Sequence, residues 1–107
     1  MKIIKLNVLA TIIFLSMNVD AAVNCTGVPS TVKMGEYGIQ EAYIITTING
    51  RDYRLGRYDE DGAKIRLSLV QSALLADKEV VFRFYDEISC VNASTNKTIP
   101  NSTQLIH

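Results

Sequence analysis

Apolar and polar positions change rhythm several times along this chain, and each change marks an element. Residues 6–17 are apolar except for Asn7, Thr11 and Ser16, and they follow Lys2 and Lys5. A basic start before a short apolar core, with Val19 and Ala21 at the positions a signal peptidase reads, predicts a secretory leader over residues 1–21. Its core of about a dozen residues is shorter than the ~20 a permanent membrane helix needs. Residues 31–34 read as a short first strand after a turn set by Gly27, Pro29 and Ser30. Residues 40–48 are rich in β-branched and aromatic side chains and run straight into Asn49-Gly50, a pair that suits a two-residue hairpin turn. Residues 51–56 should therefore return antiparallel, with Tyr53 and Leu55 inward and Asp52 and Arg54 outward.

From residue 63 to 76 the period lengthens. Ala63, Leu67, Val70 and Leu74 recur at spacings of three and four, and Ile65, Leu69 and Ala73 widen the stripe, which predicts a helix packed on a sheet. Lys64, Arg66, Ser68 and Gln71 fill its polar side. Residues 79–85 then alternate again, with Val80, Phe82 and Phe84 as the core set. Beyond Cys90 the chain is rich in Asn, Ser and Thr, so residues 92–103 read as a long exposed loop before a last short strand at residues 104–106. The order is three strands, a helix and one or two strands. That order predicts a small α+β, mainly β domain over residues 22–107, compatible with a five-stranded barrel whose helix lies between the third and fourth strands.

Charge narrows the function. Setting aside Lys2, Lys5 and Asp20 leaves nine basic and ten acidic residues, which disfavours a nucleic-acid binder. Cys25 and Cys90 are the two cysteines, and they frame nearly the whole expected domain. In the oxidising compartment that a leader implies, secreted or periplasmic, an even pair reads as a disulfide, and a small core needs such a staple. Two cysteines and the single His107 do not make a zinc site, and His107 at the terminus is a poor partner for a catalytic thiol. No cofactor or metal site is expected. Asp59, Glu60 and Asp61 lack the ligand ladder of a calcium loop and read as a solvated turn before the helix. No nucleophile, base and orienting group occur as a set, so an enzyme is not expected.

A cysteine four residues into the expected mature chain, a hairpin, the run Ser68-Leu69-Val70-Gln71-Ser72-Ala73 on a helix, a strand beginning at Val80 and a second cysteine together resemble the Shiga toxin B subunit and, more broadly, the receptor-binding B subunits of pentameric bacterial toxins. The resemblance implies an OB-fold domain of bacterial origin, assembly into a homo-pentamer, a catalytic A-type subunit encoded elsewhere, and recognition of a host-surface glycan or glycoprotein. The other class left open is a solitary periplasmic or secreted protein that binds a protein or small ligand. No membrane span is expected after processing.

The chain has no tryptophan to lie under a sugar ring. The nearest substitutes are Arg57 and Tyr58, a guanidinium and a ring that together suit an acid sugar, and Asn92 and Asn96 in the polar loop. For Arg57 and Tyr58 the alternative is an arginine stretched along the surface beside a core tyrosine. Asn24, Asn92, Asn96 and Asn101 each head a match to the N-glycosylation acceptor pattern, which would carry glycans only in a eukaryotic source. Lys33, Glu41 and Arg83 are candidates to guard exposed strand edges with charge.

Overall fold

The computed structural model of the protein describes residues 22–36 and 39–106, so the expected leader, Tyr37 and His107 lie outside the described residues. Among these described residues, six strands and two helices follow in the order β1 (Val23–Gly27), β2 (Pro29–Glu36), β3 (Ile39–Ile48), β4 (Arg51–Arg57), α1 (Asp61–Ala76), β5 (Glu79–Phe84), α2 (Cys90–Thr95) and β6 (Ser102–Ile106). They form two three-stranded antiparallel sheets, β1-β5-β6 and β2-β3-β4. Among the described residues there is no closed barrel, and the expected five-stranded OB-like barrel is corrected to this two-sheet arrangement. The cause lies at residues 23–29. Gly27 and Pro29 look like a turn, but Cys25 sits in a strand paired with β5, and Pro29 is the first residue of an edge strand, where its missing N–H costs nothing.

The hairpin forms as the sequence predicts. Asn49 and Gly50 both take positive φ, 54° and 77°, and Ile48 pairs with Arg51. Tyr53 and Leu55 are buried. The helix begins at Asp61, and Glu60 before it turns its carboxylate back to accept the Arg57 backbone N–H at 2.7 Å. Ala63, Val70 and Ala73 are fully buried, and α1 lies against strands of both sheets. Two expected helix positions differ. Leu74 is only half-buried, and Ile65 is 64% exposed because it falls on the outward side of α1. Close docking of α1 on β4 depends on Gly56, whose φ is 134° and where an added Cβ would stand 2.8 Å from the Ala63 Cβ.

The core is one cluster in which Tyr53, Phe82 and Phe84 meet between the sheets. Tyr53 meets Phe82 edge-on at 5.5 Å between centroids and stacks on Phe84 at 6.0 Å. Beside this cluster Cys25 and Cys90 form a disulfide with Cα atoms 5.7 Å apart. The expected long loop after Cys90 is partly helical. Ser89 caps α2 by accepting the Asn92 N–H, and Ala93 is buried on its inner side. No described helix is long and apolar enough to cross a membrane.

Candidate functional site

The outward face of sheet β2-β3-β4 is where polar, charged and aromatic side chains converge. Even-numbered Ile44, Thr46 and Ile48 of β3 point inward, so Tyr43, Ile45 and Thr47 point out. Register places Thr31, Thr47 and Asp52 in one row, Lys33, Ile45 and Arg54 in the next, and Tyr43 opposite Arg57 in the last. The first row is closed by hydrogen bonds: the Thr31 hydroxyl donates to Thr47 Oγ1 and the Thr47 hydroxyl to Asp52 Oδ1, both at 2.7 Å. Lys33 Nζ lies 3.3 Å from Asp52 Oδ2. Ile45 is 3% exposed although it points to this outer face and is not part of the core cluster. Lys33 and Arg54 flank it in register, and their alkyl stems are suited to cover it.

Arg57 reaches this face through a β-bulge. Strict alternation from Tyr53 and Leu55 would turn Arg57 inward, but the register slips between Ile44 and Ile45, pairing Ile44 with Gly56 and Ile45 with Arg54. The extra residue re-aims Arg57 to the same side as Arg54. Both guanidinia then address one ring. Arg54 Cζ stands 3.7 Å from the Tyr43 centroid, and Arg57 Cζ 5.9 Å from it. Arg57 Nε also lies 3.3 Å from Asp59 Oδ1. Asp59 first, and a hydrogen bond to Tyr43 second, raise the Arg57 pKa above its already high ordinary value, so its charge is fixed at every physiological pH.

The four residues singled out from sequence fall into two groups. Arg57 and Tyr58 end β4, and Tyr58 is half-exposed with its N–H bonded to the Ala42 carbonyl, so it is no core tyrosine. Asn92 and Asn96 bracket Ser94, whose hydroxyl donates to the Asp52 carbonyl at the other end of β4. Five residue steps along the strand, roughly 17 Å, separate Asp52 from Arg57. Asn92 is half-buried inside α2, and the Asn96 amide donates to Glu87 Oε1 at 3.1 Å. Glu87 is 8% exposed and also accepts from the Thr98 hydroxyl, so this cluster fastens the chain after α2. The Asn96 amide is thereby engaged with Glu87, while the residue itself lies exposed at the surface.

Tyr43 and Arg54 were missed by reading along the chain. Their signal was Gly56 inside a strand, a mark of a bulge, but only pairing shows which residues the bulge brings together. A second guanidinium and ring, Arg83 and Tyr85, lie 5.6 Å apart on β1-β5-β6, where Arg83 donates to Asn24 Oδ1. Because β5 is the central strand there, Arg83 guards no edge; Lys33 does lie on the edge strand β2, while Glu41 lies on central β3. Among the described residues no three His, Cys, Asp or Glu side chains group as a metal site. Compared with models of known protein families, with curated proteins and with solved structures, the chain finds no match.

Proposed function

We propose that this chain is an exported, non-enzymatic binding subunit, similar in role to the B subunits of bacterial toxins, that recognises a host-surface glycan or glycoprotein as a homo-oligomer. The observation that carries the reading is the outer face of β2-β3-β4, where guanidinium, ring, hydroxyl and ammonium groups are held in register on a rigid sheet. Shallow, polar and aromatic surfaces of this kind suit sugars, whose hydroxyls need donors and whose ring faces need flat partners. The disulfide fits the oxidising compartment that export would provide.

One shallow site binds weakly, so useful affinity needs several copies presented together. The surface of α1 supports self-association. Ile65, Ser68, Ser72 and Leu75 are exposed at spacings of three and four, with Leu75 at 87%. The Ser72 hydroxyl already donates to the Ser68 carbonyl, which leaves this stripe weakly polar. Strands β2 and β6 each end a sheet and offer backbone groups to a neighbour. A catalytic subunit encoded elsewhere would be the cargo of such a ring.

The test is the native mass of the oxidised chain lacking residues 1–21, followed by a glycan array probed with that species. A mass near five subunits and selective glycan binding are expected. A confirmed multimer that binds no glycan, while a pull-down recovers one specific protein, would put the solitary protein-binding class in its place.

A further inference from the structure

We infer that Glu60, just before α1, and Arg66, on its second turn, are positioning residues of the recognition face: they hold the bulge in β4 and so fix the outward aim of Arg57 and Tyr58; this rests on the glycan-binding reading above. The register slip leaves Leu55 with no residue opposite it, since Ile44 pairs with Gly56 and Ile45 with Arg54. Such a bulge breaks the ladder locally, and among the described residues β4 ends its sheet with no further strand beside it. The two backbone groups that flank Gly56, the Leu55 carbonyl and the Arg57 N–H, are met by side chains instead. Arg66 Nη1 donates to the Leu55 oxygen at 2.8 Å, and Glu60 Oε1 accepts from the Arg57 N–H at 2.7 Å. One donor and one acceptor thus replace what a neighbouring strand would supply.

The two side chains converge on one point. A Cβ added to Gly56 would stand 3.0 Å from Glu60 Oε1 and 3.4 Å from Arg66 Nη1, so the carboxylate and the guanidinium close over the same side of the bulge. Arg66 gets there across Gly62, where an added Cβ would lie 3.4 Å from its Nη2. Beyond the bulge the chain is tied down again: the Tyr58 N–H donates to the Ala42 carbonyl, and the Glu60 N–H to the Arg57 carbonyl. Glu60 therefore holds Arg57 by both its N–H and its carbonyl. The Arg57 side chain is left to address the Tyr43 ring at 5.9 Å and Asp59 at 3.3 Å.

The residue type at position 60 points the same way. Ser, Thr, Asp and Asn are favoured immediately before a helix because their short side chains bond its first free N–H groups. Glu60 stands there, and its side chain makes no such bond. A sequence that needed only a stable helix start would hold a capping residue; this one holds a longer acid that reaches back to Arg57.

The experiment compares Glu60→Ser, Glu60→Gln and Arg66→Ala with the parent, all oxidised, by denaturation midpoint, hydrogen exchange at the Arg57 amide, and the nuclear Overhauser contact between the Arg57 side chain and the Tyr43 ring. Glu60→Ser supplies a favoured cap and removes the reach to Arg57, so its midpoint should hold or rise while amide protection and ring contact are lost. Glu60→Gln keeps an oxygen at the same reach and should keep both. Arg66→Ala should lose the ring contact as Glu60→Ser does. A glycan array that includes 3′-sialyllactose and lactose then reads the consequence for the assembled protein. Glu60→Ser should lower binding about tenfold, the scale of one lost charge-assisted contact, and should lower it no further where Arg57 is already alanine. Folded Glu60→Ser and Arg66→Ala that keep both the amide protection and the Tyr43 contact would overturn the inference and leave the glycan reading standing. Binding to no sugar on the array by the assembled parent would remove both.

Discussion

Sheet β2-β3-β4 takes its strands from residues 29–36, 39–48 and 51–57, in which each strand pairs with the next in sequence, whereas β1-β5-β6 gathers its strands from residues 23–27, 79–84 and 102–106. The first is closed by a two-residue turn and carries its polar rows outward. The second has its strand β1 tied to α2 by the Cys25–Cys90 disulfide, 65 residues apart in sequence, and supplies Phe82 and Phe84 to the core. The difference assigns separate tasks. The locally encoded sheet can hold a recognition surface because its register is set by its own turn and bulges, while the sheet of distant strands depends on a covalent staple to offset the entropy of bringing them together. Helix α1 lies against strands of both and joins the two tasks.

The widest break in that comparison is Cys25→Ser with Cys90→Ser. Opening a loop of this length should cost roughly 4 kcal/mol in the chain-entropy model. Hydrogen exchange should then show β1 and β5 losing protection before β2, β3 and β4. Equal loss in both sheets would mean that they fold as one unit and that the division drawn here is false.

Next in size is the shared helix. Val70 is fully buried, and Val70→Ala should cost about 2 kcal/mol from two lost methyl groups and the cavity they leave. Leu75→Ala, at a position 87% exposed, should stay within about 0.5 kcal/mol for a single subunit. Chemical denaturation of both variants decides this. If Leu75→Ala instead weakens the native multimer, the exposed stripe is the contact between copies.

How much of this was legible along the chain follows the same division. The hairpin at Asn49-Gly50, the inward Tyr53 and Leu55, the helix and the inward Val80, Phe82 and Phe84 are all local patterns, and the structure has them. Strand β1 was hidden because Gly27 and Pro29 imitate a turn, and its strand identity comes from pairing with β5, more than fifty residues away. Helix α2 was hidden by composition. Cys90 to Thr95 is polar apart from Cys90, Val91 and Ala93, and its helical state rests on the Ser89 cap, the disulfide and the burial of Ala93. At the site, Arg57 was visible as an isolated charge near a ring. Its actual ring, Tyr43, became its neighbour only through a bulge that no single-strand period contains.

Tyr53 tests how the two sheets are coupled, since it stands on β4 and packs on Phe82 and Phe84 of β5. Burial, the larger influence, raises its phenol pKa above the ordinary value near 10, and the nearby Arg51 opposes the shift. A folded-state pKa above the unfolded one means that the native state holds the proton longer. Stability from this residue is therefore complete below about pH 10 and falls as pH rises through the folded pKa. Alkaline unfolding should set in above that point, with Phe82 and Phe84 losing their packing in the same transition. Tyr53→Phe should flatten the profile in this range. A profile identical to the parent's would show that the phenol does not govern alkaline unfolding.

The smallest expected effect separates the surface of β2-β3-β4 from its core. Lys33 and Asp52 lie 3.3 Å apart with both side chains about half exposed, at 51% and 53%. Screening and the entropy of holding a long side chain leave such a pair about 0.5 kcal/mol or less. Lys33→Ala should lower stability by no more than that in low salt and by nothing measurable in high salt. Asp52 keeps the Thr47 hydroxyl as a donor in that variant, so the row Thr31-Thr47-Asp52 stays closed and the sheet keeps its register. Denaturation at two ionic strengths is sufficient to measure it. A loss of about 2 kcal/mol, unchanged by salt, would mean that the lysine stem supports the sheet by covering Ile45 rather than by its charge, and Lys33→Met would then restore most of it.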